Sequence, residues 1–320
     1  MKYNKIISIS LLILLLGSVL FIFNSAVNDN NQLVSSSSSS EYMQNYNVYA
    51  LEVPSPVDFA GESAPLNRWY VKEALDRELL VNTYWQSQTL LLIKRSARFI
   101  PLIEKILREE GMPDDIKYIA IIESGLIPTI VSPAGAAGLW QFMKSTGREY
   151  GLEVNSEVDE RYHIEKATRA ACDYLKKGKA DLGSWTLAAA AYNAGFAGIS
   201  RQMKRQNASN YYDLRLNPET GRYIYRILAL KTILENPGKY GFKFHPNDLY
   251  QPIPTKRIVV DSEIEDLAIW AKRNGINYPI LKEFNPWLRQ SYLKNKNKKT
   301  YYFEVPADGW ADFDYSTYNN

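Results

Sequence analysis

Apolar residues recur at three- and four-residue spacing along most of the chain between residues 67 and 244, and this periodicity restricts the region to packed α-helices. Two of the longest runs are WYVKEALDRELLVNTYW (69–85) and QTLLLIKRSARFIPLIEKILREEG (88–111). The second run stops at a glycine, the residue that most often ends helices. An alternating strand pattern is absent from this part of the sequence. The sequence therefore predicts a mostly α domain over residues 66–246.

The pattern changes after residue 252. A strand, a helix, a second helix and a second strand are predicted at residues 256–260, 263–275, 279–285 and 300–306. This order predicts a separate small β-α-α-β module over residues 253–308, and residues 309–320 are expected to form a tail.

The first 24 residues combine two lysines with a long uncharged stretch. Lys2 and Lys5 precede IISISLLILLLGSVLFIF (6–23), which has 18 residues and no charge. This length is near the minimum for a membrane-spanning helix, and positive charge before it predicts an N-terminus inside the cell. We therefore expect residues 1–24 to be an uncleaved membrane anchor, with a cleavable signal peptide as the alternative. Under either interpretation the rest of the chain works outside the cytoplasm.

Residues 25–65 are polar, contain several prolines and include SSSSSS (35–40). Such a composition does not bury enough apolar surface to build a core. The segment is therefore predicted to be a flexible tether.

Charge and cysteine content exclude some classes of function. The net charge of +3 is too small to indicate nucleic-acid binding, and the basic run KNKNKK (294–299) is typical of a solvated loop. Cys172 is the single cysteine, so an intramolecular disulfide is excluded, and its small helical neighbours indicate a buried thiol. The 23 tyrosines and 7 tryptophans suit flat, hydroxyl-rich ligands such as sugars, although many must belong to the core.

One carboxylate stands at the end of an apolar helical run. In DDIKYIAIIESG (114–125), helical spacing puts Ile116, Ile119 and Ala120 on the same face as Glu123. Burial disfavours the charged form of a carboxyl, so the pKa of Glu123 should rise, as a general acid requires near neutral pH. The alternative is a capping or ion-paired glutamate with no role in chemistry.

Two further motifs combine small residues with a few polar ones. SPAGAAG (132–138) lets the backbone approach a ligand closely, although it could equally be a tight structural turn, and LWQFM (139–143) follows it. We expect at least two of the three apolar side chains Trp140, Phe142 and Met143 to pack in the core. In AAAAYNAG (188–195), Tyr192 and Asn193 end an alanine helix and should face polar groups, or Asn193 should form a buried structural hydrogen bond.

The three motifs, in this order and spacing, resemble those of lytic transglycosylases with a goose-lysozyme-like catalytic domain, of the membrane-bound murein transglycosylase D type. The similarity extends over about residues 90–235 and implies a lysozyme-like helical fold. By this resemblance Glu123 is the single catalytic acid/base. The residues implied to bind the glycan are Ser132 near the cleaved bond, Gln141 and Met143 along the groove, Tyr192 and Asn193 around the saccharide and Glu123, and Glu219 and Tyr223 in the last motif. Arg222 falls one place later than the arginine of that last motif.

The resemblance implies cleavage of peptidoglycan strands between N-acetylmuramic acid and N-acetylglucosamine, in the bacterial cell envelope and on the periplasmic side of the membrane. Glu123 would protonate the leaving oxygen and then deprotonate the 6-hydroxyl of the same muramic acid, which closes a 1,6-anhydro ring. Water is not consumed, and no metal or other cofactor is implied.

Two other functions remain open at this point. A goose-type lysozyme would share Glu123 but hydrolyse the bond, and a second carboxylate such as Asp159 or Glu160 could reach the groove. A cell-wall-binding protein without catalytic activity is the other alternative. Protein partners cannot be named from the sequence.

The C-terminal module, with its EIEDLAIWAKRNGINYPILKEFNPWL stretch (263–288), resembles a LysM domain. LysM domains bind glycans that contain N-acetylglucosamine. Both glycan binding and a purely structural role are therefore open for residues 253–308.

Overall fold

The computed structural model describes residues 48–310. As the periodicity predicts, the region between residues 67 and 244 is built from helices. They are α1 (Trp69–Tyr84), α2 (Gln86–Glu109), α3 (Lys117–Ser124), α4 (Lys144–Glu149), α5 (Ile164–Leu182), α6 (Trp185–Ala194), α7 (Phe196–Gln206) and α8 (Pro218–Glu235). The prediction of a mostly α domain is confirmed.

The centre of this domain is the alanine helix α6. Residues 188–191, all alanine, are fully buried, and α6 packs against α5, α7 and α8. Small side chains allow the neighbouring backbones to approach closely, so a short helix can lie inside a bundle of longer ones. The polar end of α6, with Tyr192 and Asn193, is thereby held against α8.

The structure differs from the predicted tether at its C-terminal end. Two short antiparallel strands, β1 (Asp58–Phe59) and β2 (Glu62–Ser63), lie on the helical domain. Phe59 is fully buried, and the carboxylate of Glu62 accepts hydrogen bonds from the backbone N–H groups of Trp185 (2.6 Å) and Thr186 (2.9 Å). A helix N-terminus has unpaired N–H groups, so an anion stabilises the start of α6 there.

The C-terminal module has the predicted order of elements. Strand β3 (Thr255–Val260) pairs antiparallel with β4 (Tyr301–Pro306), with Thr255 opposite Pro306 and Val260 opposite Tyr301. Between the strands lie α9 (Leu267–Arg273) and α10 (Tyr278–Phe284). The small β-α-α-β module is thus confirmed as an element of the fold.

The predicted anchor (1–24), the first part of the predicted tether (25–47) and most of the predicted tail (311–320) lie outside the described residues. Within residues 48–310, none of the helices is both long and apolar enough to span a bilayer.

Candidate active site

Glu123 lies in the last turn of α3, which ends where Gly125 adopts a left-handed conformation with φ of 59°. Arg95 of α2 donates a hydrogen bond from Nη1 to the Gly125 carbonyl at 3.1 Å. Ile119 and Ile121 are buried on the same short helix. The apolar face and the fixed C-terminus of α3 therefore set the position of the Glu123 carboxyl.

The closest partner of this carboxyl is a buried tyrosine. Tyr223 of α8 donates from its hydroxyl to Glu123 Oε1 at 2.5 Å, and its side chain is 1% exposed. Burial raises the pKa of Glu123, while the Tyr223 hydrogen bond and the charge of Arg226 act in the opposite direction and the charge of Glu219 adds to the rise. The net effect of these groups is a raised pKa, as expected of a general acid.

Arg226 is a site residue that the sequence analysis missed. It follows Tyr223 by three positions on α8 and therefore projects from the same side of the helix. Its Nη2 donates to the Ile122 carbonyl at 3.3 Å, next to Glu123, and its charge lowers the pKa of Glu123. Its position one helical turn after Tyr223 was the sequence feature from which Arg226 could have been predicted to lie near Glu123.

Tyr192 joins the end of α6 to the loop that follows α3. Its hydroxyl donates to the Trp140 carbonyl at 2.6 Å, and its ring meets Phe142 edge to face with centroids 5.8 Å apart. Burial, and then the negative charge of Glu123, raise the pKa of Tyr192 well above its ordinary value. Tyr192 is therefore a neutral phenol close enough to Glu123 to be affected by its charge.

Asn193 forms a polar group with the start of α8. Its Nδ2 donates to Glu219 Oε1 at 3.2 Å, and its Oδ1 accepts from Thr220 Oγ1 at 2.7 Å. Glu219 is exposed at this helix end and close enough to raise the pKa of Glu123. The structure thus brings Tyr192, Asn193 and Glu219 to the same side of the domain as the Glu123–Tyr223 pair.

Ser132, Gln141 and Met143 lie on the loop between α3 and α4. The Ser132 hydroxyl accepts from the Ala136 N–H at 3.0 Å, and Gln141 Nε2 donates to the Gly138 carbonyl at 2.8 Å. These bonds order the loop itself and do not reach Glu123. Met143 is 43% exposed, whereas Trp140 and Phe142 are buried, as the expectation of two core residues requires.

Asp159 and Glu160, the two candidates for a second catalytic carboxylate, both form ion pairs away from Glu123. Asp159 is buried and paired with both Nε (2.9 Å) and Nη2 (2.7 Å) of Arg161. Glu160 is buried, pairs with Lys166 and accepts from the Glu153 N–H at 2.8 Å. Glu219 is therefore the second carboxylate to consider beside Glu123.

Other sequence candidates lie away from the chemistry. Arg222 pairs with Glu78 of α1 through Nε at 2.7 Å, so it joins α8 to α1 rather than to Glu123. Cys172 is buried, which raises the pKa of its thiol to about 12 and leaves it protonated at neutral pH. Among residues 48–310, no group of three or more His, Cys, Asp or Glu side chains is arranged to hold a metal ion.

Comparisons with known proteins agree with the resemblance seen in the sequence. Residues 101–214 match the Transglycosylase SLT domain, and residues 256–309 match the Soluble lytic transglycosylase C-terminal LysM-like domain. Membrane-bound lytic murein transglycosylase D of Escherichia coli (strain K12) is 31% identical over 228 residues, which cover 70% of this chain and 49% of that protein. The chain thus spans about half the length of this curated relative.

Two solved structures are similar to part of this chain. An inactive mutant of the lytic transglycosylase Slt from Pseudomonas aeruginosa is 23% identical, with a TM-score of 0.36. The matched region covers 44% of this chain and 24% of the Slt chain. The 70-kDa soluble lytic transglycosylase in complex with bulgecin A is 16% identical, with a TM-score of 0.40. The matched region covers 67% of this chain and 42% of that transglycosylase.

The site residues lie on both sides of the matched boundary. Glu123, Ser132, Gln141, Met143, Tyr192 and Asn193 fall within the matched residues 101–214, and α8 with Tyr223 follows directly. Residues 101–214 of the helical region therefore belong to a transglycosylase SLT domain, and residues 256–309 to a LysM-like domain of the kind found at the C-terminus of soluble lytic transglycosylases.

Proposed function

We propose that the chain is a peptidoglycan lytic transglycosylase that cleaves the bond between N-acetylmuramic acid and N-acetylglucosamine. The observation that supports this most strongly is the half-buried Glu123, whose pKa is raised by burial and whose Oε1 accepts from Tyr223 at 2.5 Å within an SLT domain. A protonated carboxyl in this position is the acid that glycosidic bond cleavage needs.

In the first step Glu123 transfers its proton to the leaving oxygen, and the bond from that oxygen to the anomeric carbon of muramic acid breaks. The bonding electron pair leaves with the oxygen, so positive charge develops at the anomeric carbon. Glu123 is now ionised. Tyr223 and Arg226, which both lower the pKa of Glu123, stabilise this carboxylate at the stage when it forms.

In the second step the carboxylate of Glu123 takes the proton of the 6-hydroxyl of the same muramic acid. The oxygen of that hydroxyl forms a bond to the anomeric carbon, which gives a 1,6-anhydro ring and restores protonated Glu123. The attacking hydroxyl is part of the same sugar, so the ring closure gains the advantage of an intramolecular reaction.

A hydrolase is the alternative, because Glu219 is a carboxylate whose charge reaches Glu123. Glu219 is exposed and hydrogen-bonded to Asn193, so it could direct a water molecule instead of leaving the sugar to react with itself. The two reactions give products that differ in mass by one water molecule.

Digestion of purified sacculi followed by mass analysis of the released muropeptides tests the proposal. We expect muropeptides with anhydro ends as the main product. Reducing muramic acid ends would instead identify a lysozyme-type hydrolase. Binding to sacculi without any released muropeptide would identify a wall-binding protein.

We also propose that the chain acts on the periplasmic side of the cell envelope and is anchored there by residues 1–24. The 18 uncharged residues that follow Lys5 support an anchor. The full chain should remain in the membrane pellet after alkaline carbonate extraction, and a chain that begins at residue 25 should not. Release of the full chain into the supernatant would count against the anchor.

Tyr223→Phe should shift the pH dependence of the reaction. The Tyr223 hydrogen bond lowers the pKa of Glu123, so its removal raises that pKa further, and protonated Glu123 then persists to higher pH. We expect the alkaline limb of the kcat/KM profile to move to higher pH, while kcat falls by about 10-fold or more because the ionised form is less stabilised. Tyr225→Phe, on the same helix but packed against Tyr211 and Tyr212, is the matched control. An unchanged profile for Tyr223→Phe would contradict the assigned role of its hydroxyl.

A further inference from the structure

The LysM-like module and the site loop share one hydrophobic cluster. Most members of this cluster belong to the module, but Ala137, Val158 and Tyr162 come from the SLT domain. Ala137 is fully buried and lies between Ser132 and Gln141 on the loop that joins α3 to α4. One residue of the loop therefore belongs to the same buried cluster as the module, where small shifts are resisted by the close packing of neighbouring side chains.

Backbone hydrogen bonds join the module to the segment that precedes α5. The Asp159 N–H donates to the Trp287 carbonyl at 2.9 Å, and the Arg289 N–H donates to the Glu157 carbonyl at 2.7 Å. The guanidinium of Arg289 lies over the ring of Tyr162, 4.2 Å from its centroid. These contacts hold the backbone before Arg161 and the ring of Tyr162 directly after it.

Arg161 connects this segment to the site loop. Its side chain is 3% exposed, and its Nη1 donates to the carbonyls of Gly135 (2.8 Å) and Phe142 (2.9 Å) while Asp159 holds the other end of the guanidinium. A buried arginine with every contact directed at a carboxylate or a carbonyl is a rigid link. The positions of Gly135 and Phe142, both on the loop, thus depend on Arg161.

We infer that the LysM-like module is a structural part of the glycan-binding site, because it positions the loop of residues 132–143 through Arg161. This inference rests on the proposed function in one respect, which is that the loop contacts the glycan. Besides burial, the groups that shift the pKa of Glu123 are Tyr223, Arg226 and Glu219, which all lie on α8 and not in the module. Loosening the module should therefore weaken glycan binding without changing the acid chemistry.

The experiment uses the full chain and three variants that loosen the contact to different extents. The double variant Val158→Ala, Arg289→Ala removes apolar packing and one guanidinium from the contact between the SLT domain and the module. Arg161→Lys removes the guanidinium that holds the loop. Arg289→Ala alone changes an exposed side chain, and we expect this variant to keep its fold. Val259→Ala, on β3 with 60% exposure, is the matched control within the module.

Two measurements are made on each folded protein. Hydrogen exchange is followed at the amides of Ala137 and Gly138, which donate to the Phe142 and Ile130 carbonyls at 3.1 Å each. Cleavage of glycan strands gives kcat, KM and the pH profile. We expect exchange to accelerate by about 10-fold or more and KM to rise by a similar factor, with an unchanged pH profile, in the loosened variants but not in the control.

Wild-type exchange rates at both amides in all folded, loosened variants would overturn the inference. Faster exchange with an unchanged KM would overturn it too, because the loop would then not govern glycan binding. If even the wild-type protein cleaves no glycan, the proposed function fails by itself. In that case a dissociation constant for glycan strands replaces KM, so the two failures remain distinguishable.

Discussion

Glu123→Gln should abolish glycan cleavage while preserving the fold. Glutamine has nearly the same shape as glutamate, but its amide can neither donate the proton for the leaving oxygen nor accept one from the 6-hydroxyl. We expect the rate of muropeptide release to fall by about 10²–10⁴-fold, the usual contribution of a general acid/base. Glu73→Gln, on the exposed face of α1, is the matched control and should keep its activity. A Glu123→Gln protein that releases muropeptides at the wild-type rate would show that another group is the acid.

The same variant should be at least as stable as the wild-type protein at alkaline pH. Burial raises the pKa of Glu123, so the folded state binds this proton more tightly than the unfolded state. Between the unfolded and the folded pKa, the contribution of Glu123 to stability therefore falls as pH rises. Glutamine does not titrate, so the difference in melting temperature between variant and wild type should increase from acidic to alkaline pH. A difference that does not change with pH would indicate that Glu123 is not held in a desolvated place.

Gly138→Ala should be the most disruptive single-methyl change in the site loop. Gly138 has φ of +78°, and an added Cβ would lie 1.9 Å from the carbonyl oxygen of Arg161, which is backbone and has no side-chain rotamer to change. The loop or the segment before α5 must therefore move. We expect a loss of about 3 kcal/mol or more, from overpacking together with the cost of a left-handed alanine, and a large loss of glycan cleavage.

Gly135→Ala is the matched control for this prediction. It has φ of +85°, but an added Cβ meets nothing within 4 Å. It should therefore cost only the conformational term of about 1–2 kcal/mol. Chemical denaturation of both variants separates the close approach from the backbone conformation, and equal losses would contradict the close packing of Gly138 on Arg161.

The parts of the fold that sequence predicted are those determined by local patterns. Three- and four-residue periodicity located α1, α2 and the helices around α6, because an amphipathic helix shows its buried face within a few turns. The strands at residues 58–63 were missed because long-range contacts hold them, with Phe59 in the helical core and Glu62 at the start of α6.

The same distinction applies to the site. The position of Glu123 at the end of an apolar helix follows from residues within one turn of it, so its raised pKa could be predicted. Its contact with Tyr223, 100 positions away, was not predicted, because the family resemblance only placed Tyr223 among the glycan-binding residues. Arg222 and Arg226 lie one turn apart on α8, and only the tertiary structure shows that the first meets Glu78 and the second lies next to Glu123.

The strands β1 and β2 bear on how recombinant fragments of this protein should be designed. The family match begins at residue 101, in the middle of α2, and ends at residue 214, before α8. A fragment with those borders would lack the buried ring of Phe59, the carboxylate of Glu62 at the start of α6, and Tyr223. We therefore expect a stable fragment to start upstream of residue 57 and to continue at least through Glu235, beyond both borders of the sequence similarity.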